Sequence, residues 1–173
     1  RCNGLTSITI PEGVTEIGPG AFKNCSGLTA IEIPSSVTAI GLEAFSGQCK
    51  VTLTLSSSAT EITHEMIEPY RKYVTQVIIP NGVTSIGENA FSSYTRLTNI
   101  TIPPSVTEIG EGAFYNCIYL GGAITIPEGV TSIGRVAFSG CNDLTNITIP
   151  GGVTSIGYRA FFICESLTSI TIP

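Results

Sequence analysis

Cysteine is the residue type whose spacing first suggests chemistry in this sequence. Of the six cysteines, five lie three residues before the leucine of a repeated segment, and Cys49 lies near the same place in a shorter loop. An exported protein could join such residues as disulfides. Stacked repeats would hold their Cβ atoms about 4.8 Å apart, however, which exceeds the ~3.5–4.5 Å of a disulfide. We therefore predict buried, unbridged thiols that pack as small hydrophobic groups. The five recurring cysteines are Cys2, Cys25, Cys117, Cys141 and Cys164, and the prediction concerns the last four.

The other reactive side chains do not form a catalytic or metal-binding pattern. His64 is the only histidine and no C-x-x-C pair is present, so we predict no zinc site. A Ser-His-Asp triad would need Asp143, the only aspartate, which is far from His64 in sequence. Glutamates at one repeat position alternate with alanine or serine, which suits solubility better than a catalytic carboxylate pair. We predict no enzymatic activity and no cofactor.

A repeat of about 23 residues positions these side chains. The segment Leu5–Pro11 recurs along the chain, and successive strand-ending prolines lie 23 or 24 residues apart, except between Pro34 and Pro80. That longer gap holds a degenerate copy, in which Ser56 replaces the proline. The sequence thus predicts a single domain over residues 1–173, with eight strand copies joined by seven loops and a degenerate repeat at about 53–79. The strand-ending prolines are Pro11, Pro34, Pro80, Pro103, Pro127, Pro150 and Pro173.

Each repeat position has a physical role. In the extended segment, Ile8 and Ile10 share one face, which a single turn cannot bury alone and which stacked parallel strands can bury together. Proline ends the strand because it cannot donate a backbone hydrogen bond. Gly18 and its equivalents predict a corner that requires a positive φ. Ala-Phe pairs in six of the seven loops predict buried aromatic rings. Strands are predicted at or near 7–10, 30–33, 52–55, 76–79, 99–102, 123–126, 146–149 and 169–172.

Two insertions and one substitution interrupt the regular pattern. The loop Pro69–Tyr73 and the Gly121-Gly122 pair each add one residue, and Thr63 replaces the repeated glycine of the degenerate copy. A threonine cannot adopt the conformations of glycine freely. We therefore expect a local distortion near Thr63.

The pattern L-x-x-I-x-I-P-x-x-V-x-x-I-G-x-x-A-F-x-x-C resembles the BspA-type leucine-rich repeat family over the whole chain. The resemblance implies a right-handed solenoid with a parallel β-sheet on its concave side and short strands, turns or 3₁₀ segments on the other. It also implies a secreted or cell-surface protein that adheres to host or bacterial proteins, such as a host extracellular-matrix or surface protein. The family supplies no catalytic residue to transfer.

Composition and charge argue against nucleic acid and membrane as partners. The net charge is −5 with only eight Lys and Arg residues, so a nucleic-acid surface is not predicted. No apolar run approaches the roughly 20 residues of a membrane span, and we predict no membrane insertion. Neither end has the polar cap that solenoids require. The chain is therefore expected to be part of a longer protein and to associate end to end.

One position of the repeat differs from the others because it holds large side chains in several copies. The residue before the repeated leucine is large in three successive copies, as Tyr73, Arg96 and Tyr119. Tyrosine and arginine are frequent interface anchors, and arginine can stack on rings. The adjacent insertion adds two more cations and a tyrosine, and we predict one exposed protein-binding site. The alternative is a surface position that tolerates large residues. The predicted binding residues are Tyr70, Arg71, Lys72, Tyr73, Arg96 and Tyr119.

Other roles remain open at the level of sequence. A purely structural spacer is the main alternative. The outward strand positions are mostly threonine, which suits a solvated sheet, although such an array is also found in ice-binding solenoids, and Glu32 and Ile78 interrupt it here. Carbohydrate binding usually needs exposed aromatic platforms, and tryptophan is absent. Ice and carbohydrate binding are the remote alternatives.

Overall fold

The computed structural model is a parallel β-solenoid in which each turn adds one strand to a main sheet and a two-residue strand to a second sheet. It describes residues 2, 4–25, 27–28, 30–34, 36–45, 50–55 and 59–172. Cys49 and Ser56 lie outside the described residues. No helix within the described ranges is long and apolar enough to cross a membrane.

Even-numbered strands belong to the main sheet and odd-numbered strands to the second sheet. The main sheet comprises β2 (Ala30–Pro34), β4 (Lys50–Thr54), β6 (Val74–Ile78), β8 (Asn99–Thr101), β10 (Gly122–Thr125), β12 (Leu144–Thr148) and β14 (Ser169–Thr171). The second sheet comprises β1 (Glu16–Ile17), β3 (Ala39–Ile40), β5 (Glu61–Ile62), β7 (Ser85–Ile86), β9 (Glu108–Ile109), β11 (Ser132–Ile133) and β13 (Ser155–Ile156). Helix α1 (His64–Ile67) and a 3₁₀ turn (Glu68–Tyr70) lie between β5 and β6.

Seven of the eight predicted strands are confirmed, and every strand pair is parallel. The expected strand at 7–10 is wrong, because only the single bridge from Thr9 to Glu32 forms there. Each sheet is interrupted once. The main sheet divides between β8 and β10, at the Gly121-Gly122 insertion, and the second sheet divides between β3 and β5, just before Thr63. Both interruptions lie close to departures from the repeat.

The expected distortion at Thr63 takes the form of a helix. Thr63 stands in an extended conformation at the N-cap of α1, and its hydroxyl accepts a hydrogen bond from the Met66 N–H at 3.4 Å. Threonine is a favourable N-cap residue. The residue that replaces the repeated glycine therefore starts a helical turn in the degenerate loop, which we define as residues 63–73.

The core consists of columns, and we use this word for the residues that occupy one repeat position in successive, stacked turns. Most columns contain a single residue type. The inward-facing isoleucines of the main-sheet strands from β2 to β12 are buried, as are the alanine and phenylalanine of each interior Ala-Phe pair, whereas Ile78 points outward and is exposed. The rings of Phe91, Phe114 and Phe138 stack face to face with centroids 5.3 and 5.0 Å apart. At the two ends of the solenoid the apolar residues are less completely buried. Leu5, Ile8, Ile10, Val14 and Phe22 are only partly buried, and Ile156, Ile170 and Ile172 are exposed, because each has a neighbouring turn on one side only.

The repeated glycine has a different role from the predicted one. None of Gly41, Gly110, Gly134 or their equivalents has a positive φ. Instead, a Cβ on Gly134 would lie 2.4 Å from the carbonyl carbon of Gly110, and a Cβ on Gly110 would lie 2.8 Å from that of Gly87. Distances this short do not occur between real Cβ atoms and backbone. Glycine is required here because successive turns approach each other at this corner.

The positive φ values lie elsewhere in the loop. The second residue after the repeated glycine is left-handed in six loops, and the sixth residue is left-handed in five. Glycine or asparagine adopts this conformation at low cost, whereas it costs about 1–2 kcal/mol for other residues. Val136, Arg159 and Ile163 all adopt it. The six residues at the first position are Gly20, Glu43, Asn89, Gly112, Val136 and Arg159.

Candidate binding surface

The predicted binding residues occupy equivalent places in successive turns. Strands β6 and β8 pair with Gln76 opposite Asn99, so Tyr73 and Arg96, each three residues earlier, share one position of the repeat. Tyr119 stands four residues before Ala123, because the loop holds an additional glycine. The structure therefore preserves the repeat position that the sequence singled out, although the side chains do not all reach solvent.

Tyr70 is a buried core residue, which corrects the prediction that it is exposed. Its side chain is 1% exposed and its hydroxyl donates a hydrogen bond to the Val37 carbonyl. Tyr73 is half-buried, with its hydroxyl 3.0 Å from the Gly41 carbonyl and its ring edge-on to Phe45, 5.4 Å between centroids. The physical reason lies in the degenerate loop, where Ile67 replaces the stacked phenylalanine and leaves space beside it.

Four of the predicted residues are at least partly exposed, and we call them the edge surface: Arg71, Lys72, Arg96 and Tyr119. Tyr119 is 55% exposed and Lys72 is exposed. Arg71 is half-buried and forms an ion pair with Glu68, with 3.1 Å between Nη2 and Oε1. Arg96 is half-buried. Three of the chain's eight Lys and Arg residues lie on this surface, and one of them, Arg71, is paired with Glu68.

The cysteine column holds hydrogen-bond donors. Each thiol lies close to the carbonyl of the phenylalanine one turn earlier: Cys117 to Phe91 at 2.9 Å, Cys141 to Phe114 at 3.2 Å and Cys164 to Phe138 at 3.1 Å. All cysteines among the described residues are free, as predicted for Cys25, Cys117, Cys141 and Cys164, although Cys164 is only half-buried. Burial raises the pKa of the Cys117 thiol to about 12 and also raises the pKa of Cys141. These thiols stay protonated at neutral pH, so they can donate, and they are poor nucleophiles.

Tyr94 occupies the same column and makes the same contact. Its hydroxyl donates to the carbonyl of Ile67, the residue that stands in the phenylalanine column of the previous turn. Burial is the main cause that raises the Tyr94 pKa. A phenol thus performs the task of the thiol, and its larger ring fills part of the space beside Ile67. The ring of Tyr94 packs edge-on to Phe91 at 5.5 Å.

An acidic groove of about 550 Å³ lies beside the degenerate loop. Glu61, His64, Glu65 and Glu88 line it. The His64 Nδ1 atom lies 3.0 Å from the Asn89 carbonyl, so Nδ1 carries the proton, and Nε2 lies 3.6 Å from Glu68 Oε2. Among the described residues, no group of three or more His, Cys, Asp or Glu side chains could hold a metal ion. The groove is a negatively charged feature of the surface, and none of the residues that line it belongs to the edge surface.

Exposed aromatic residues on the loops are the feature that sequence reasoning missed. Tyr115, Tyr158 and Phe162 are all exposed. Tyr115 and Phe162 each follow an Ala-Phe pair directly, and Tyr158 follows the repeated glycine. A comparison of these two columns across the repeats would have revealed them, because the other members are mostly small or charged.

Comparison with known proteins identifies the family. The sequence profile of the BspA type leucine rich repeat region matches residues 1–121 and 70–173, with six copies. The chain belongs to the BspA-type leucine-rich repeat family. The resemblance noted in the sequence is thereby confirmed, and the parallel solenoid agrees with it.

Solved structures of bacterial leucine-rich repeat proteins share the fold of this BspA-type chain. A leucine-rich repeat protein from T. pallidum is 28% identical with a TM-score of 0.58, over 95% of this chain and 78% of its own length. A leucine-rich cell-surface protein from Faecalibacterium prausnitzii is also 28% identical, with a TM-score of 0.63, over 98% of this chain and 60% of its own. The pneumococcal vaccine antigen PcpA, at 18% identity and a TM-score of 0.51, shares the fold. No curated protein matches the sequence.

Proposed function

We propose that this BspA-type chain is a protein-binding segment of a secreted or cell-surface protein, acting by adhesion to host or bacterial proteins and without catalysis. The observation that carries the proposal is the edge surface. It presents Tyr119 and three cations on a solenoid whose outward strand positions are mostly small and polar. Interfaces typically depend on a few large anchors surrounded by neutral contacts. The edge surface supplies candidate anchors and the threonine-rich sheet supplies the neutral surroundings.

The solved structures support the proposed location at the cell surface and the proposed protein-binding role. One similar protein is described as a cell-surface protein and another as a vaccine antigen. A regular repeat scaffold with an extended surface is also the usual architecture of binding solenoids. The proposed partner is a host extracellular-matrix protein or a surface protein, and the positive edge favours a partner with acidic groups.

Substitution of two edge residues tests the proposal. The probes are purified extracellular-matrix proteins and bacterial surface proteins, immobilised one at a time, with binding measured by biolayer interferometry. For each probe that binds, Arg96→Ala and Tyr119→Ala are each expected to weaken binding by about 1–2 kcal/mol, the usual scale of an interface anchor. Circular dichroism and thermal unfolding of both variants establish that each still folds, and Lys23→Ala, outside the edge surface, is the matched control.

The alternative role is a structural spacer, and the same experiment separates the two. A spacer predicts no specific binding to any probe and no difference between edge variants and the control. Unchanged affinity of both edge variants for a protein that does bind would remove the edge surface from the proposal and move the site elsewhere on the solenoid.

We also propose end-to-end self-association of this 173-residue chain. Ile170 and Ile172 in the last turn are exposed, and the apolar residues of the first turn are only partly covered. Both ends carry copies of the same turn, so they are complementary in register, and uncovered strand edges favour such contacts. Light scattering should show a mass that rises with concentration, whereas a constant monomer mass would contradict this proposal.

A further inference from the structure

The degenerate loop contains the chain's only histidine, and its imidazole joins two successive turns of the solenoid. His64 is the first residue of α1, and Asn89 lies in the loop of the next turn, shortly after β7. The His64 Nδ1 atom lies 3.0 Å from the Asn89 carbonyl. A carbonyl can only accept, so Nδ1 carries the proton and donates. In the neutral imidazole, Nε2 is therefore an acceptor.

The second ring nitrogen faces a carboxylate that has an unsatisfied oxygen. Glu68 stands one helical turn after His64, and its backbone N–H donates to the His64 carbonyl. Its Oε2 atom lies 3.6 Å from His64 Nε2. Within the residues that the structure describes, that oxygen is buried and accepts no hydrogen bond. With a neutral imidazole, two acceptors thus face each other at this contact.

A proton on Nε2 makes the same contact favourable. The imidazolium has a donor at each nitrogen, so Nε2 then donates to Glu68 while Nδ1 keeps its hydrogen bond to Asn89. Hydrogen bonds between charged groups are stronger than neutral ones. The other oxygen of Glu68, Oε1, lies 3.1 Å from Arg71 Nη2. Protonated His64 and Arg71 therefore bind one oxygen each of a single carboxylate.

The other carboxylates around the imidazole favour its charged form as well. Three of them line the groove that contains His64, one on β5, one on α1 and one directly after β7. Nearby carboxylates stabilise a positive charge on a histidine. The His64 side chain is 36% exposed and that of Glu68 is 41% exposed, so water screens part of the attraction. The three groove carboxylates are Glu61, Glu65 and Glu88.

We propose that His64 and Glu68 form a pH-sensitive switch, in which proton uptake by His64 at acidic pH binds the degenerate loop more tightly to the loop of the next turn. Histidine is the side chain that changes its charge between pH 5 and 8. The folded loop binds the proton more tightly than the unfolded chain does, so the stabilisation is present at low pH and is lost as the pH rises. Arg71 and Lys72 of the edge surface lie in this loop, but the switch does not depend on whether that surface binds a protein.

Hydrogen exchange of the loop amides at about pH 5.5 and about pH 8 tests the switch, because this interval covers the ordinary titration of histidine. Protection is expressed relative to an unfolded reference at the same pH, which removes the chemical effect of pH on exchange. In the wild type, amides of residues 63–73 should be about threefold better protected at the lower pH, the scale of a partly exposed ion pair. Amides of residues 110–117, in a loop without histidine, should show no such difference.

Three variants separate the group that takes up the proton from its partner and from the charge of the groove. His64→Gln has no side chain that titrates in this interval, and Glu68→Gln keeps the shape of the side chain without its charge. Both should abolish the threefold difference. Glu88→Gln is the matched control, since it removes a carboxylate of the groove other than the one that faces Nε2. It should keep most of the difference.

Equal protection of the wild-type loop at both pH values would overturn the proposal. A difference that persists in His64→Gln would do so too, because another group would then take up the proton. A difference lost as fully in Glu88→Gln as in Glu68→Gln would assign the effect to the overall charge of the groove and reject the switch. Circular dichroism establishes that each variant folds. If His64→Gln does not fold, the comparison of Glu68→Gln with Glu88→Gln decides.

Discussion

The loop from Gly110 to Cys117 and the loop from Thr63 to Tyr70 occupy the same part of the repeat with different residues. The first is regular, with a buried Phe114 stacked on two neighbouring rings and a thiol that donates to the previous turn. The second begins with a helix, has Ile67 in the ring column, and has Tyr70 in the thiol column. Both bury their central apolar residue completely.

The difference shows which features of the repeat are physically required. A donor toward the preceding turn is retained, since Cys117, Tyr70 and Tyr94 all donate to a backbone carbonyl. The chemical identity of the donor is not retained. Core volume is retained as well, because Tyr73 and Tyr94 contact the phenylalanines on either side of the space at Ile67. An unsatisfied buried carbonyl or an empty space would each destabilise the core.

Gly134→Ala is expected to have the largest effect on stability in the regular loops. The new Cβ would lie 2.4 Å from the carbonyl carbon of Gly110, and two turns of backbone would have to separate. We expect a loss of about 3 kcal/mol in the free energy of unfolding, at the upper end for overpacking. Urea denaturation measures it.

Gly18→Ala is the matched control, because a Cβ there would meet no atom within 4 Å and φ is not positive. It should change stability by less than about 0.5 kcal/mol. Equal losses in the free energy of unfolding of both variants would contradict the conclusion that the repeated glycine is needed because successive turns approach each other closely.

The thiol column predicts a loss of stability at alkaline pH. Burial raises the pKa of Cys117 from an ordinary 9.0 to about 12 in the folded state. The unfolded thiol therefore ionises from about pH 9, whereas the folded one remains protonated until about pH 12. This contribution to stability is fully present below pH 9 and decreases between pH 9 and 12.

Comparison with Cys117→Ala isolates that contribution. Between pH 8 and pH 11, the wild-type free energy of unfolding should fall by about 2–3 kcal/mol more than that of the variant. Chemical denaturation at each pH gives both values. Parallel curves for the two proteins would show that the Cys117 thiol ionises equally easily in the folded and unfolded states.

Tyr94→Phe is expected to have the smallest effect of the three and tests whether the phenol replaces the thiol. The variant keeps the ring beside Phe91 but leaves the Ile67 carbonyl without this donor. A loss of about 1 kcal/mol is expected for one buried hydrogen bond. Tyr115→Phe, which removes an exposed hydroxyl, should have almost no effect on thermal unfolding. An equally large loss of stability in Tyr115→Phe would show that the loss in Tyr94→Phe does not come from the hydrogen bond to the Ile67 carbonyl.

The edge surface could be predicted from sequence only in part. The change to large side chains at Tyr73, Arg96 and Tyr119 can be read from the sequence itself, and the structure keeps these residues at one repeat position. Whether a tyrosine there faces solvent depends on the volume available beside it. That volume is determined by Ile67 in the ring column and by Phe45 in an earlier loop, and neither is close to Tyr73 in sequence.

The sequence by itself determined the repeat period, all seven strands of the main sheet, the repeat position of the thiols and the position of the distortion at Thr63. These features follow from the spacing of apolar residues and from the conformational limits of single residues, which are local properties. Only the tertiary structure decided that the repeated glycine is needed for the approach of two turns, that Tyr70 is buried, and that Tyr115 and Phe162 are exposed whereas Ser139, at the same repeat position, is buried. Each of these depends on distances between residues about 23 positions apart, and those distances exist only once the turns are stacked.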